Sequence, residues 1–227
     1  MYQQSEDLSK QIGDQSGVAY AMFSLGDVST AEGDLPAARA HYNESVNLRA
    51  QMGEKGNVAE TQMALALLSI EEGNTAEAAA TLTQVREEFR KQGLTDDEIL
   101  ADTLLARIFL SQGKVPDAEK ETSSAHALLA NSQDFSVRLR ASIEEAAVEL
   151  ATGKSEGAVR ILVDTIASAK KSGYVEYQLE AQSGLAHADL AAGKDAAGQG
   201  LLTDVRKQAQ LRGFHLIADK AAKAHAN

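Results

Sequence analysis

The sequence contains no cysteine, no tryptophan and only two prolines among its 227 residues. Without cysteine, disulfides, thiolate metal sites and thiol catalysis are excluded. Aromatic residues make up only 4% of the chain, so small and aliphatic side chains must build its core. No apolar run approaches the roughly 18 residues that a membrane-spanning helix needs, and the first ten residues are polar. We therefore expect a soluble, cytoplasmic protein.

Basic residues are also scarce, since 22 Lys and Arg face 33 Asp and Glu, for a net charge of −11. The excess is uneven: residues 1–113 carry 18 acidic and 8 basic residues, whereas 114–227 carry 15 and 14. Binding to nucleic acid depends on neutralising phosphates, and an anionic membrane surface makes the same demand. We expect neither of them as a partner.

Glycine, by contrast, recurs at one constant interval in two series. One series is Gly33, Gly73, Gly113, Gly153 and Gly193. The other is Gly13, Gly53, Gly93, Gly173 and Gly213, with Gln133 standing where one more glycine is due. A fixed period of this size, within the range of roughly 20–50 residues, indicates a repeat array. We expect one series to mark the turn inside each helix pair and the other the exit from it, where a positive φ is needed.

The apolar spacing between the glycines predicts helices throughout. The expected elements are 2–12, then the pairs 16–32 with 35–52, 57–72 with 75–92, 96–112 with 115–131, 136–152 with 155–172 and 175–192 with 195–212, and a final helix 214–224. The expected N-caps of second helices are Asp34, Thr75, Ser155 and Asp195. Thr95 and Glu98 form a predicted capping box. Pro36 and Pro116 fall in the first turn of a second helix, where proline is tolerated.

The first full unit has Leu25-Gly26, Ala38 and Tyr42 at positions that resemble the tetratricopeptide repeat (TPR). Small residues recur in the same register as the glycines, at Ala78, Ala118 and Ala158. The resemblance implies an all-α fold, a right-handed TPR superhelix of antiparallel helix pairs, or α-solenoid. We expect one solenoid over 1–227, divided into a partial repeat 1–15, repeats 16–55, 56–95, 96–135, 136–175 and 176–213, and a capping helix 214–227.

The unit is longer than a standard TPR and is similar to the C-terminal TPR regions of bacterial multidomain signalling proteins that carry a kinase, a cyclase or a DNA-binding regulator. The phrases Gln11-Ile12-Gly13-Asp14 and Gln51-Met52-Gly53-Glu54 are in that style. This resemblance implies a scaffold that binds a protein or peptide, without enzymatic activity, cofactor or metal. The alternative is a sensory or oligomerisation region of a larger signalling enzyme whose catalytic domain lies upstream of Met1.

The chain opens on what looks like the second helix of a repeat, since Tyr2 aligns with Tyr42 and Leu8 with Leu48. Two interpretations remain: residues before Met1 belong to a longer protein, which we favour, or this helix is an N-terminal cap. In either case its open face could join two copies of the chain.

In TPR arrays the first helix of each pair lines a concave groove. One projected face of these helices combines aromatic, apolar and charged side chains, as binding hot spots do. The candidate groove residues are Tyr20, Phe23, Asp27, Glu60, Met63, Leu67, Leu100, Arg107, Arg140 and His187. The acid excess of the N-terminal half favours a ligand that combines apolar anchors with a basic character.

Several other motifs have simpler structural explanations. Gly153-Lys154-Ser155 matches the tail of a phosphate loop but lacks the upstream glycine, so we expect a helix-pair turn. Gly198 and Gly200 indicate close packing or a kink. The histidines, His41, His126, His187, His215 and His225, show no metal-ligand spacing.

Glu144, Glu145 and Glu149 form the least regular stretch of the array. Glu145 and Glu149 fall at positions that are apolar or small in most repeats, so we expect them to be half-buried. Arg138, Arg140 and Arg160 are near enough to pair with these glutamates, or the helix is slightly rotated; a site for acid–base or metal chemistry is the alternative. The missing glycine at Gln133 predicts an unusual junction just before them, with Asn131 ending the helix.

Overall fold

The structure, a computed structural model, describes the backbone of residues 2–226 and the side chains as far as Ala224. These residues form twelve α-helices joined by short turns. The helices are α1 (Tyr2–Ile12), α2 (Gln15–Glu32), α3 (Leu35–Gln51), α4 (Lys55–Glu71), α5 (Thr75–Gln92), α6 (Thr95–Ser111), α7 (Val115–Leu129), α8 (Phe135–Ala151), α9 (Ser155–Ser172), α10 (Val175–Ala191), α11 (Asp195–Arg212) and α12 (His215–Ala226). Every predicted helix is present, and the predicted all-α solenoid class is confirmed.

The helices divide into two compact units, the first ending at Leu104 and the second beginning at Leu105. In unit 1, α1 packs on α2, α2 on α3, α3 on α4 and α4 on α5. In unit 2, each helix from α7 to α12 packs on the next, and α10 also contacts α8 and α12. The repeat boundaries and the continuous array given above stay predictions.

The glycines of both series, ten in all, have positive φ, as the period predicted. Gly33 is representative: at φ 80° its N–H donates to the carbonyl oxygens of Ser29 and Thr30, which the end of α2 leaves without a helical partner. A side chain at this φ would clash with the backbone, so only glycine adopts it without strain.

The junction between α7 and α8 has a different structure, but not the one predicted. No described residue other than glycine has positive φ, so the expectation that Asn131 takes the helix-ending conformation is wrong. Instead α7 stops at Leu129, and Ser132 is buried in the connection. The Arg138 guanidinium donates to the Ser132 carbonyl oxygen at 2.6 Å, which satisfies that buried group.

One of the four predicted N-caps is confirmed, and the other three are displaced by one residue. Asp34 is an N-cap, and its carboxylate accepts from the Ala37 N–H at 3.1 Å. Thr75, Ser155 and Asp195 are instead the first residues inside their helices, after N-caps Asn74, Lys154 and Lys194.

The predicted capping box at the start of α6 is also wrong. The Leu94 carbonyl accepts from the Glu98 N–H, so Leu94 holds the cap position. The Glu98 carboxylate accepts from Arg90 at 2.7 Å. This ion pair uses the carboxylate that a capping box would direct to the Thr95 N–H.

Small residues at the helix-pair contacts explain the TPR-like positions. A Cβ on Gly26 would lie 2.4 Å from the Tyr42 ring, so this glycine lets α2 and α3 meet around the tyrosine. Ala78, Ala118 and Ala158 have no exposed surface. A Cβ on Gly198 would lie 2.6 Å from the Leu190 side chain, whereas one on Gly200 would meet open space. The close-packing interpretation therefore holds for the first glycine of that pair.

None of the helices in the described part of the chain is long and apolar enough to cross a membrane.

Candidate binding surfaces

A buried arginine organises the face of unit 1. Arg49, at the end of α3, is only 5% exposed. Its Nη1 donates to the Asn57 carbonyl oxygen at 2.8 Å, to Glu60 at 2.7 Å and to the Thr61 hydroxyl at 2.7 Å. Its guanidinium also lies over the Phe23 ring, 4.8 Å from the centroid. Arg49 thus connects α2, α3 and α4 through its contacts with Phe23, Asn57, Glu60 and Thr61.

Two carboxyl groups of unit 1, those of Asp27 and Asp97, have raised pKa values. Asp27 as a whole residue is exposed, but its carboxylate accepts from the Tyr42 hydroxyl at 2.7 Å. Loss of solvent around this carboxyl raises the pKa of Asp27 to about 6; nearby Glu60 adds to the rise, and the Tyr42 hydrogen bond opposes it. Burial, together with Glu60 and Asp96, raises the pKa of Asp97 to about 6 as well. Unit 1 therefore has carboxyl groups close enough to disfavour one another's charge.

The structure places the predicted groove residues of unit 1 at different depths. Tyr20 is 59% exposed, so its ring is available to a ligand. Phe23, Leu67 and Leu100 are half-buried, whereas Met63 is 9% exposed and presents little surface. Phe23 lies 5.7 Å from the Tyr42 ring, between the centroids. Phe23, Asp27 and Glu60 come together around Arg49, which was not among the candidates.

A second arginine organises the corresponding face of unit 2. Arg140 in α8 donates to Glu180 in α10 at 2.6 Å and lies over the Tyr177 ring at 4.9 Å. Burial acts to lower the pKa of Arg140, but the negative charges of Glu180, Tyr177, Glu144 and Glu176 together outweigh it, and the net change is upward. Arg140 and Glu180 line a pocket of about 210 Å³ whose lining also contains aliphatic side chains. Its lining includes Arg107, Ile143, Glu144, His187, Leu202 and Lys220.

Glu144 is the most enclosed carboxylate of this pocket, at 5% exposure. Burial raises the pKa of Glu144, while the positive charges of Arg107, Arg140 and Lys220 oppose the rise. The structure therefore brings the predicted residues Arg107, Arg140 and His187 into one pocket. It adds the glutamates and Lys220, which were not predicted as binding residues.

The sequence contains a signal for most of the surface residues that were not predicted, and it is found by comparing equivalent positions of the repeats. Equivalent positions are separated by the same interval as the glycines. In the other repeats, the position equivalent to Arg49 is occupied by Ser, Phe, Leu or Ala. A lone charge at an otherwise uncharged position indicates a special contact. The position of Tyr20 becomes Arg140, Glu180 and Lys220 in unit 2, an alternation of charge along neighbouring first helices.

The irregular stretch of α8 has different partners from those expected. Glu145 and Glu149 are half-buried, as predicted. However, Arg138 donates to a carbonyl oxygen and Arg140 to Glu180, and Arg160 is exposed, so the expected pairing with Glu145 and Glu149 is wrong. Glu145 lies 3.8 Å from the Nδ1 of His126.

The remaining motifs are structural. Gly153 has φ 79° and precedes α9, so Gly153-Lys154-Ser155 forms the expected helix-pair turn. His126 and His215 are exposed and His41 is half-buried, while the His225 side chain lies outside the described residues. Within the described part of the chain, no three His, Asp or Glu residues are grouped in a way that could hold a metal ion.

Comparison with known protein families identifies the family to which this helical architecture belongs. The family described as the MalT-like TPR region matches residues 1–217. The chain belongs to this MalT-like TPR family. The TPR resemblance predicted from the sequence is thereby confirmed. Among curated proteins, no sequence matches the chain.

Solved structures resemble this MalT-like TPR chain over most of its length. A putative kinesin light chain with TPR-like repeats from Podosopora anserina is 25% identical, with a TM-score of 0.54 over 87% of this chain and 97% of that one. BtubC from P. vanneervenii is 16% identical, with a TM-score of 0.63 over 94% and 91%. A Rap protein complexed with Competence and Sporulation Factor is 15% identical, with a TM-score of 0.70 over 100% and 68%.

Proposed function

We propose that this chain is a non-enzymatic scaffold that binds a protein or peptide through the surfaces that the first helices form in each unit. The observation that carries the proposal is the surface around Arg49 in unit 1. There an exposed aromatic ring, Tyr20, shares α2 with Phe23 and Asp27. Aromatic anchors beside charged groups are typical of binding hot spots.

The charge of unit 1 supports a particular ligand chemistry. Its residues include 18 acidic and only 7 basic side chains. Burial raises the pKa of Asp27 and of Asp97, and the nearby charge of Glu60 adds to both rises, so an arriving cation would relieve this repulsion. We therefore propose that the ligand carries Lys or Arg next to an aromatic or aliphatic residue.

Family membership and a structural neighbour agree with this role. TPR arrays commonly mediate protein interactions, and the Rap neighbour was solved with Competence and Sporulation Factor bound. A cytoplasmic role in bacterial signalling is part of the proposal. The proposed contact residues are Tyr20, Phe23, Asp27, Glu60, Met63, Leu67, Leu100, Arg107, Arg140 and His187.

A peptide display selection tests the proposal. Random peptides selected on the wild-type chain should be enriched in Lys or Arg beside an apolar residue. A Tyr20→Ala/Phe23→Ala variant should lose these peptides because both rings are removed. A Leu211→Ala variant, changed at an exposed residue of α11, is the matched control. Selected peptides that bind both variants equally well would reject the surface around Arg49 as the binding site.

A second candidate function is oligomerisation through α1, as part of a larger signalling enzyme. It is favoured by the exposure of Leu8 (59%) and Ile12 (70%) on a helix whose counterpart α3 buries its tyrosine, Tyr42. Light scattering of wild type and a Leu8→Glu/Ile12→Glu variant tests it. A dimer that persists in this variant, or a wild-type monomer at all concentrations, would remove this candidate.

A further inference from the structure

We propose that an aromatic row at one edge of unit 2 binds an acidic, proline-containing peptide segment. The aromatic row consists of Phe135, Tyr174, Tyr177 and Phe214, four of the ten aromatic residues of the chain. These residues lie at the N-terminal ends of α8, α10 and α12, which are successive first helices of unit 2. We base this on the proposed scaffold function and extend it to a surface that contains none of the candidate groove residues.

The rings of the aromatic row lie close together without stacking flat. The centroids of Phe135 and Tyr174 are 5.7 Å apart and their planes are tilted by 49°, while Tyr174 and Tyr177 are 6.0 Å apart and tilted by 56°. Phe135 is 37% exposed and Tyr174 is 36% exposed, so the wedge-shaped spaces between these rings are open to solvent. Tyr174, Tyr177 and Phe214 also line an open groove of about 580 Å³, within the roughly 300–1,000 Å³ of ligand sites.

Two residues of the row stand where other repeats have helix caps. The positions equivalent to Tyr174 hold Asp14, Glu54, Leu94 and Asp134 in earlier repeats and Phe214 in the next. The carboxylates of Asp14 and Asp134 accept from backbone N–H groups at the starts of their helices, whereas Tyr174 forms no side-chain cap hydrogen bond. Each aromatic residue therefore gives up the stability of a cap. A local preference abandoned in two successive repeats indicates function rather than folding.

The helical structure of this edge limits how a peptide can bind to it. The described part of unit 2 is helical, so it offers no strand edge that a peptide could extend. Aromatic-lined grooves instead bind proline-rich segments, which already hold the polyproline II conformation and lose little entropy on binding. The Tyr174 hydroxyl makes no hydrogen bond to the described residues. It can donate to a peptide carbonyl, because the carbonyl groups of a polyproline II helix have no internal partners.

The unpaired charges beside the aromatic row are positive. Arg212 lines the same groove, is exposed and forms no ion pair with the described residues. Lys170 and Lys171, in the last turn of α9 that leads into the groove, are likewise exposed and unpaired within the described part of the chain. Among the described residues that line the groove, only Glu176 carries a carboxylate, and its charge is one of those that raise the pKa of Arg140. An acidic segment would therefore meet cations without displacing an existing ion pair.

NMR titration of the full chain tests the proposal with a short peptide made of three Pro-Pro-Glu repeats. The peptide should shift the aromatic signals of Phe135, Tyr174 and Tyr177 and leave those of Tyr20 and Phe23 in unit 1 unchanged. Matched peptides of Ala-Ala-Glu and of Pro-Pro-Gln should each bind about fivefold more weakly, because one lacks the proline rings and the other lacks the charge. Equal binding of either control peptide, or no shift at the aromatic row, would overturn the proposal. If the same signals shift when the chain alone is concentrated, a second copy covers the row, and the proposal is also overturned.

A Tyr174→Asn variant separates binding from folding. Asparagine is a good N-cap and adds no charge, so the thermal midpoint should stay the same or rise while binding of the Pro-Pro-Glu peptide weakens about tenfold. A lowered midpoint would mean that the ring serves the fold, and unchanged binding would mean that the ring is not a contact; either result overturns the proposal.

Two variants on α11 test the charge. Arg212→Gln should weaken the Pro-Pro-Glu peptide about fivefold and leave binding of the Pro-Pro-Gln peptide unchanged. Arg206→Gln, at an exposed position on the same helix, is the matched control and should change neither. Unaffected binding in the Arg212→Gln variant would overturn the proposal. The display selection on unit 1 is read separately, so a failure at the aromatic row is distinct from a failure of the scaffold function.

Discussion

Each unit of this TPR chain is built around one largely buried arginine that pairs with a glutamate and lies over an aromatic ring. In unit 1, Arg49 donates to Glu60 at 2.7 Å and lies 4.8 Å from the Phe23 centroid. In unit 2, Arg140 donates to Glu180 at 2.6 Å, with its aromatic partner 4.9 Å away. The same combination of contacts thus recurs in both units.

The surroundings of the two arginines differ in charge. Around Arg49, Asp27 and Asp97 add negative charge, and unit 1 has 18 acidic and 7 basic residues. Around Arg140, the cations Arg107 and Lys220 are accompanied by the carboxylates Glu144 and Glu180, and the acidic and basic residues of unit 2 are equal in number. The helical scaffold is shared, and the side chains at a few equivalent positions give the two units different charges.

The largest effect is expected from the cores on which both surfaces depend. Phe89 has no exposed surface, so Phe89→Ala should lower the free energy of unfolding in unit 1 by about 3–5 kcal/mol. Leu202→Ala should cost unit 2 about 2–5 kcal/mol. Amide hydrogen exchange of α4–α5 and α10–α11 measures the two losses, and Leu211→Ala is the exposed control. Unchanged exchange in the Phe89→Ala variant would contradict the core assignment.

These cores are the part of the molecule that the sequence predicts best. Two glycine series and a recurring small residue, such as Ala78, specify helix lengths and contacts because helix pairs repeat the same packing. The binding surfaces are harder to predict, since they depend on which charges meet across repeats. Arg49 comes from a second helix, although the prediction considered only first helices. Asp34 was placed correctly, but three other helix caps were misplaced by one residue because Ser, Thr and Asp are also acceptable in the first turn.

A smaller loss of stability is expected when an arginine is replaced, and the loss should be larger for a buried arginine than for a partly exposed one. Arg49→Met should destabilise unit 1 by about 2–3 kcal/mol, because buried acceptors on α4 lose their donor. Arg39→Met removes an ion pair to Glu72 that is partly exposed, so the expected loss is at most about 1 kcal/mol. Urea denaturation compares the two variants. Equal losses would show that burial does not distinguish these arginines. Arg140→Met tests the same point in unit 2.

Next in size is the effect of enlarging a small residue at a helix-pair contact. Ala78 is fully buried, so Ala78→Leu should cost about 1–3 kcal/mol through overpacking. Ala80→Leu, at an exposed position of the same helix, should change the thermal midpoint little. If Ala78→Leu melts at the wild-type temperature, the TPR register of α5 is wrong.

The smallest effect is a pH dependence specific to unit 1. The pKa of Asp27 and of Asp97 is about 6 in the folded chain, above the ordinary value of 3.8. Between about pH 4 and pH 6 the unfolded chain has released these protons and the folded chain still holds them, so stability falls as the pH rises. Solvent screening limits the loss to about 1 kcal/mol or less.

An Asp27→Asn/Asp97→Asn variant isolates this contribution. The difference in unfolding free energy between variant and wild type should grow in favour of the variant as the pH rises from about 4 to about 7. A difference that stays constant over that range would mean that these two carboxyl groups titrate normally.

The most direct test of the contrast between the units is an NMR titration with two versions of one short peptide. Both contain phenylalanine; one carries lysines and the other carries glutamates at the same positions. The contrast predicts that only the lysine peptide shifts signals of Tyr20, Phe23 and Asp27, and that Asp27→Asn weakens this binding. If the glutamate peptide binds this face of unit 1 as tightly as the lysine peptide, the assignment of a cation-binding surface to unit 1 is contradicted.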